Sequence, residues 1–87
     1  MYNTKYKIEK IEEFNRPNPI YLDMEGCICY PAYLNPGERG WMLVLFEDDP
    51  TPHRLHTTDI KDVKYDNQIG TIVIETQNTR FTLKAVK

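Results

Sequence analysis

Four side chains of metal-binding type, Cys27, Cys29, His53 and His56, make an arithmetical Cys2His2 set. Structural zinc usually takes its paired cysteines from a flexible knuckle with two to four residues between them. Here one residue separates the thiols, and on a strand they project from one face. Two histidines three apart on a strand aim their imidazoles to opposite sides. Neither pair converges, so no metal site and no cofactor are expected. The simpler reading is that the thiols pack as small hydrophobes and the histidines flank a hairpin.

Nucleophilic chemistry needs a base beside the nucleophile. Cys27 or Cys29 with His53 or His56, and Asp48-Asp49 beside His53, are the available combinations. None forms a local catalytic signature, and a domain this small has little room for a water-excluding cleft. Asp48 and Asp49 are more simply turn-formers ahead of Pro50. No catalytic residue is assigned, and the chain is read as non-enzymatic.

The remaining constellation is aromatic and turn-rich: Tyr30, Tyr33, Arg39 and Trp41, with Tyr21 nearby. Tyr, Trp and Arg are over-represented where one protein anchors on another, which makes Tyr30, Tyr33, Arg39 and Trp41 the partner-binding candidates. In so small a chain the same rings must also supply core. Whether Trp41 faces the core or the surface stays open on sequence alone. Nucleic acid is the competing partner class. Tyr2, Lys5, Tyr6, Lys7, Arg80, Lys84 and Lys87 would line one basic, aromatic surface if the first and last strands pair. Glu9, Glu12 and Glu13 lie beside it, and the net charge of −2 argues against electrostatic capture of a polyanion.

These residues have to be positioned by a single domain spanning residues 1–87, since 87 residues leave no room for a second core. Val, Ile and Thr number 20 against two Ala and six Leu, a bias towards a pleated, half-buried surface. The longest apolar run, Trp41 to Phe46, is too short to cross a bilayer. The polar start shows neither a secretory signal nor a transit peptide, and the close cysteines suit a reducing compartment. A cytoplasmic protein without a membrane partner is expected.

Lys5 to Phe14 carries both periodicities, Ile8, Ile11 and Phe14 at helical spacing and Tyr6 and Ile8 alternating with charges. The β-rich remainder of the chain favours a strand with a bulge near Lys10. Arg16-Pro17-Asn18-Pro19 breaks regular structure. Gly26 to Leu34 reads as a strand with Pro31 at an edge or bulge. Asn35 to Gly40 is a turn in which Gly37 and Gly40 supply positive φ. Trp41 to Glu47, apolar as far as Phe46, reads as a strand covered on both faces. Glu47 to Pro52 is an exposed turn and His53 to Thr57 a further strand. Thr57 to Ile60 looks like a capped single helical turn. Lys61 to Tyr65 is a short strand, Asp66 to Gly70 a turn, and Thr71 to Thr76 pairs with Thr79 to Val86 across Gln77-Asn78. The expected core is Leu43 and Leu45, or Val44, with Ile72, Ile74, Phe81 and Leu83. The whole predicts an all-β, small SH3-like barrel of five to seven short strands with one single-turn helix.

Three stretches, Pro36 to Trp41, His56 to Val63 and Ile74 to Phe81, give residues 26 to 84 a layout that resembles short uncharacterised proteins of Gram-positive, often gut, bacteria and their phages. That resemblance implies a small β-barrel of mobile-element origin and brings no established active site. The function expected is a protein-interaction module, an adaptor or a phage-type inhibitor acting on a host protein, with a protein partner or a second copy bound. The alternative is a barrel binding a nucleotide, a signalling molecule or single-stranded nucleic acid.

Overall fold

A computed structural model describes residues 5–14, 24–46 and 48–86, and in them every regular element is a strand. The expectations for Tyr2, Arg16 to Pro19, Tyr21, Glu47 and Lys87 lie outside the described residues. Six strands, β1 (Tyr6–Glu13), β2 (Ile28–Tyr33), β3 (Arg39–Phe46), β4 (Asp49–Asp66), β5 (Thr71–Thr76) and β6 (Thr79–Ala85), run antiparallel in sequence order. β6 pairs back onto β1, so the sheet closes into a barrel and removes its edges. Its Cα radius of gyration, 12.0 Å, is that of a compact chain of this length, about 12 Å.

Within residues 5–14 the chain forms a strand, Tyr6–Glu13, with the bulge where the pattern breaks, between Ile8 and Lys10. The final hairpin pairs Ile72 with Leu83 and Ile74 with Phe81, all four inside. Ile8, Met42, Val44 and Ile60 complete the interior, and Met24 is buried against them. Burial alternates along β3: Gly40, Met42 and Val44 point inward, and Trp41, Leu43 and Leu45 point outward, half-buried. Of the two options for the centre of this strand, the structure takes Val44 and not Leu43 and Leu45. The outward residues Trp41, Leu43 and Leu45 are half-buried where Met42 and Val44 are buried, so among the described residues β3 is less fully covered on its outer face than its apolar run suggested.

The single-turn helix at Thr57 to Ile60 is a correction. These residues are continuous strand within β4, whose first half pairs with β3 and whose second half, with a register shift between Ile60 and Asp62, pairs with β5. The Thr57 hydroxyl, instead of capping a helix, accepts the Gly40 N–H at 2.9 Å and donates to the Thr58 carbonyl at 2.8 Å. Ile60 exchanges backbone bonds with the preceding turn, Gly37 N–H to its carbonyl and its own N–H to Glu38. The segment Lys61 to Tyr65 is therefore the end of β4 and not a separate strand.

Gly37 has φ of +88°, as the turn requires. Gly40 does not; it is small for lack of space, because a Cβ there would lie 2.6 Å from Ile60 Cδ1 and 2.7 Å from the Tyr33 carbonyl oxygen.

Candidate functional site

Strand alternation fixes which side chains share the outer wall. Register places Tyr30 opposite Leu43 and Ile28 opposite Leu45 across β2 and β3, and Leu43 opposite Arg54 and Trp41 opposite His56 across β3 and β4. Three rows result. Tyr33, Trp41 and His56 form one end, Tyr30, Leu43 and Arg54 the middle, and Ile28 with Leu45 the other end. The Pro31 irregularity is a bulge between Pro31 and Tyr33, and it brings Tyr33 beside Trp41.

The indole is the focus of the upper rows. Arg54 Cζ lies 4.5 Å from the Trp41 ring centroid, and the His56 ring sits 6.4 Å away, tilted by 32°. A guanidinium over an indole face is attracted by the ring quadrupole. Among the described residues no carboxylate forms an ion pair with Arg54. The Tyr33 hydroxyl donates to Glu38 Oε2 at 2.7 Å, and this bond to a carboxylate pushes the phenol pKa upward. Arg39, exposed, stands opposite Asp59 in register. The four candidates thus fall on one face: Trp41 and Tyr30 as its half-buried apolar body, Tyr33 and Arg39 at its rim.

Below Ile28 and Leu45 the wall opens into a groove of about 750 Å³, also lined by Glu25, Cys27, Phe46 and Asp48. Glu25 accepts the Ile11 N–H at 2.8 Å. A smaller recess of about 200 Å³ is lined by Met24, Val44, Phe46, His53, Arg54 and Leu55.

The metal-type residues behave as alternation requires. His53 stands opposite Val44 in register and His56 opposite Trp41, and both histidines are exposed. His53 Nε2 lies 2.8 Å from Asp49 Oδ2, with the ring edge-on to Phe46 at 5.3 Å. Asp49 is held below the usual carboxylate range, first by the Thr51 N–H and then by His53. Cys27 and Cys29 are free thiols, and burial pushes Cys29 up to about 12. No group of three His, Cys, Asp or Glu among the described residues is placed to hold a metal ion.

Of the basic surface expected for nucleic acid, β1 and β6 do pair and set Lys7 opposite Lys84, both exposed, whereas Arg80 is engaged by Glu75 at 3.0 Å and Glu12 at 3.4 Å and lies over the Phe14 ring. Tyr6 packs against the core. Arg54, Leu43, Leu45, Ile28 and Asp48 are the outer-wall residues that the reading of motifs missed. Hairpin counting would have found the opposition of residue 54 to residue 43 only to within the two-residue bulge after Val44.

Comparison with known proteins finds no matching family model, curated protein or solved structure. Of membrane spans, no helix among the described residues is long and apolar enough to cross a bilayer.

Proposed function

We propose that this chain is a non-enzymatic protein-interaction module whose contact surface is the outer wall of β2, β3 and the first half of β4. One observation carries the reading. Half of an unbroken apolar run, Trp41, Leu43 and Leu45, faces away from a core that Met42 and Val44 already fill. Large side chains on that side add nothing to the interior, whereas an aromatic anchor with arginine beside aliphatic neighbours is what a protein interface uses. The free thiols fit a reducing cytoplasm, and the likeness to phage-borne small barrels fits an adaptor or inhibitor acting on a host protein.

A stacking site for nucleotide or single strand is less well supported. Arg54 already occupies a face of the indole, the neighbours Ile28, Leu43 and Leu45 offer no ring for a second base, and Glu25, Asp48 and Asp59 border the wall. A photo-crosslinking residue at position 43 should yield a discrete protein adduct in cells, absent when the residue is at Val73 on the opposite wall. The Arg39→Ala, Trp41→Ala double variant should abolish it. Submicromolar, steeply salt-dependent binding of single-stranded oligonucleotide would overturn the reading in favour of the alternative.

A further inference from the structure

The end of the barrel where β4 turns into β5, and where β6 runs out beside the start of β1, carries apolar side chains that the fold does not use. Ile69 and Tyr65 are 63% and 60% exposed, the highest values for large hydrophobic residues in the described chain. Ile69 stands in the turn that follows Asp66, where small and polar residues are the rule. This turn is firmly built. The Gly70 N–H donates to the Asp66 carbonyl at 2.8 Å, and the Asp66 carboxylate accepts the N–H of Gln68 at 3.1 Å and of Ile69 at 3.3 Å. The Ala85 N–H donates to the Gly70 carbonyl at 2.7 Å, which brings Val86, also exposed, alongside the turn.

Charge is sorted around these side chains. Register sets Lys7 opposite Lys84, and the Val86 N–H donates to the Lys5 carbonyl at 2.9 Å, so Lys5 flanks the same end. All three lysines are exposed, and none forms an ion pair among the described residues. Like charges directly opposite on neighbouring strands are destabilising, so the barrel itself gains nothing from Lys7 beside Lys84. Of the carboxylates along these strands, Asp66 is engaged with its own turn and Glu9 lies beyond Lys7, at the β1 bulge. In a chain of net charge −2 this basic end is a local departure.

We infer that this end of the barrel rests on an anionic lipid surface, with Ile69 entering the headgroup boundary and Lys5, Lys7 and Lys84 over the acidic headgroups. Composition decides between this occupant and another protein. Protein contact surfaces are poor in lysine and favour arginine and tryptophan, as on the outer wall of β2 and β3. A lysine instead carries its ammonium on a flexible stem that reaches a headgroup from many positions. Tyrosine suits the boundary, its ring in apolar surroundings and its hydroxyl in water. Apolar insertion joined to a basic patch is how peripheral contact with a membrane is held. The linear sequence hid this site, because Ile69, Val86 and Lys5 meet only through the last hairpin and the closure of β6 on β1.

Sedimentation with lipid vesicles tests the assignment. At about 2 mM lipid the full chain should pellet with phosphatidylcholine vesicles containing about 30% phosphatidylserine, and stay in solution with phosphatidylcholine alone. Lys7→Gln and Lys84→Gln should each lower partitioning about fivefold, and Ile69→Ser about tenfold. Lys61→Gln, which removes an exposed cation at the other end of the β4–β5 pairing, should change it by less than about twofold. Far-ultraviolet circular dichroism of each variant separates loss of binding from loss of fold. Brominated acyl chains should quench a fluorescence component present in Ile69→Trp and absent from the parent, whose one tryptophan is Trp41. A parent that stays in the supernatant with the acidic vesicles overturns the proposal. Quenching of Trp41 in the parent would set the outer wall on the lipid and equally overturn it. Binding that Ile69→Ser leaves unchanged and a single-stranded oligonucleotide displaces marks a general polyanion site, which also refutes it.

Discussion

Four consecutive lysine substitutions along β3 read out the facing of this strand. Met42 and Val44 are 0% and 1% exposed, enclosed by the barrel, whereas Leu43 and Leu45 stand on its outer wall. A lysine at 44 must either bury its ammonium or lose its proton. Taking an ordinary lysine, pKa about 10.4, to neutrality at pH 7 costs about 5 kcal/mol, before any loss of packing. The whole stability of an 87-residue domain is about 4 to 13 kcal/mol. Val44→Lys and Met42→Lys therefore remove from about a third to all of it. Leu43→Lys and Leu45→Lys carry the ammonium into water along a flexible stem and should cost about 1 kcal/mol. Urea melts at 25 °C measure the difference, with m unchanged across the folded variants. The sign of the pH dependence adds a second check. A buried lysine has its folded pKa depressed, so the unfolded chain binds the extra proton and Val44→Lys should lose stability as pH falls below about 10, by about 1.4 kcal/mol per pH unit until the folded pKa is reached. Leu43→Lys should show no such slope. Equal losses at 43 and 44, or a larger loss at 43, would refute the outward placement of Leu43 and with it the interaction wall.

Gly40→Ala should destabilise by about 1 to 3 kcal/mol, because the added Cβ meets Ile60 Cδ1 and the Tyr33 carbonyl oxygen and that backbone oxygen cannot turn aside. Gly37→Ala, with open space but φ of +88°, should cost about 1 kcal/mol, and thermal melts that reverse this order would contradict the tight approach at Gly40. Native protein treated with a thiol reagent at pH 8 should leave Cys29 unmodified, since its pKa near 12 keeps it a buried thiol, and should expose both thiols in denaturant; rapid labelling of Cys29 in the folded state would contradict its burial. Asp49 has a folded pKa below its ordinary 3.8, so its contribution is present above that pH and is lost as pH falls through the lower folded value. Asp49→Asn should flatten the acid limb of a stability–pH curve, and an unchanged limb below pH 3.8 would show that the Thr51 and His53 contacts do not persist in solution.

Much of the barrel was legible because local and non-local signals agreed. Ile72, Ile74, Phe81 and Leu83 alternate with polar residues on either side of Gln77-Asn78, so turn and pattern demand the same register. Lys5 to Phe14 was decided by its surroundings, and the bulge between Ile8 and Lys10 is what gave a strand its partly helical spacing. Thr57 to Ile60 failed for the opposite reason. Thr-Thr-Asp ahead of an apolar residue is a cap signature, but the Thr57 hydroxyl is claimed by Gly40, seventeen residues away, and no local rule contains that partner. A glycine at the end of a turn, as Gly40 is, suggests a positive φ, whereas the constraint on it is the close approach of Ile60 and the Tyr33 carbonyl.

The outer wall shows where such reading stops in principle. A continuous apolar run has no phase: Trp41 to Phe46 satisfies either assignment of inside and outside, and only the volume left by Phe81, Ile74, Ile8 and Leu83 selects Met42 and Val44 as the inward pair. Once they are chosen, Trp41, Leu43 and Leu45 are outward by alternation, and Arg54 and His56 follow through the β3–β4 register. A strand that lies against water on its outer side is satisfied by Thr, Lys or Glu there, as β5 is with Glu75 on its outer face. Leucine at 43 and 45 and tryptophan at 41 are therefore not explained by closing the barrel. The proposed function accounts for them, since a partner's surface would cover the apolar area that these half-buried side chains still expose.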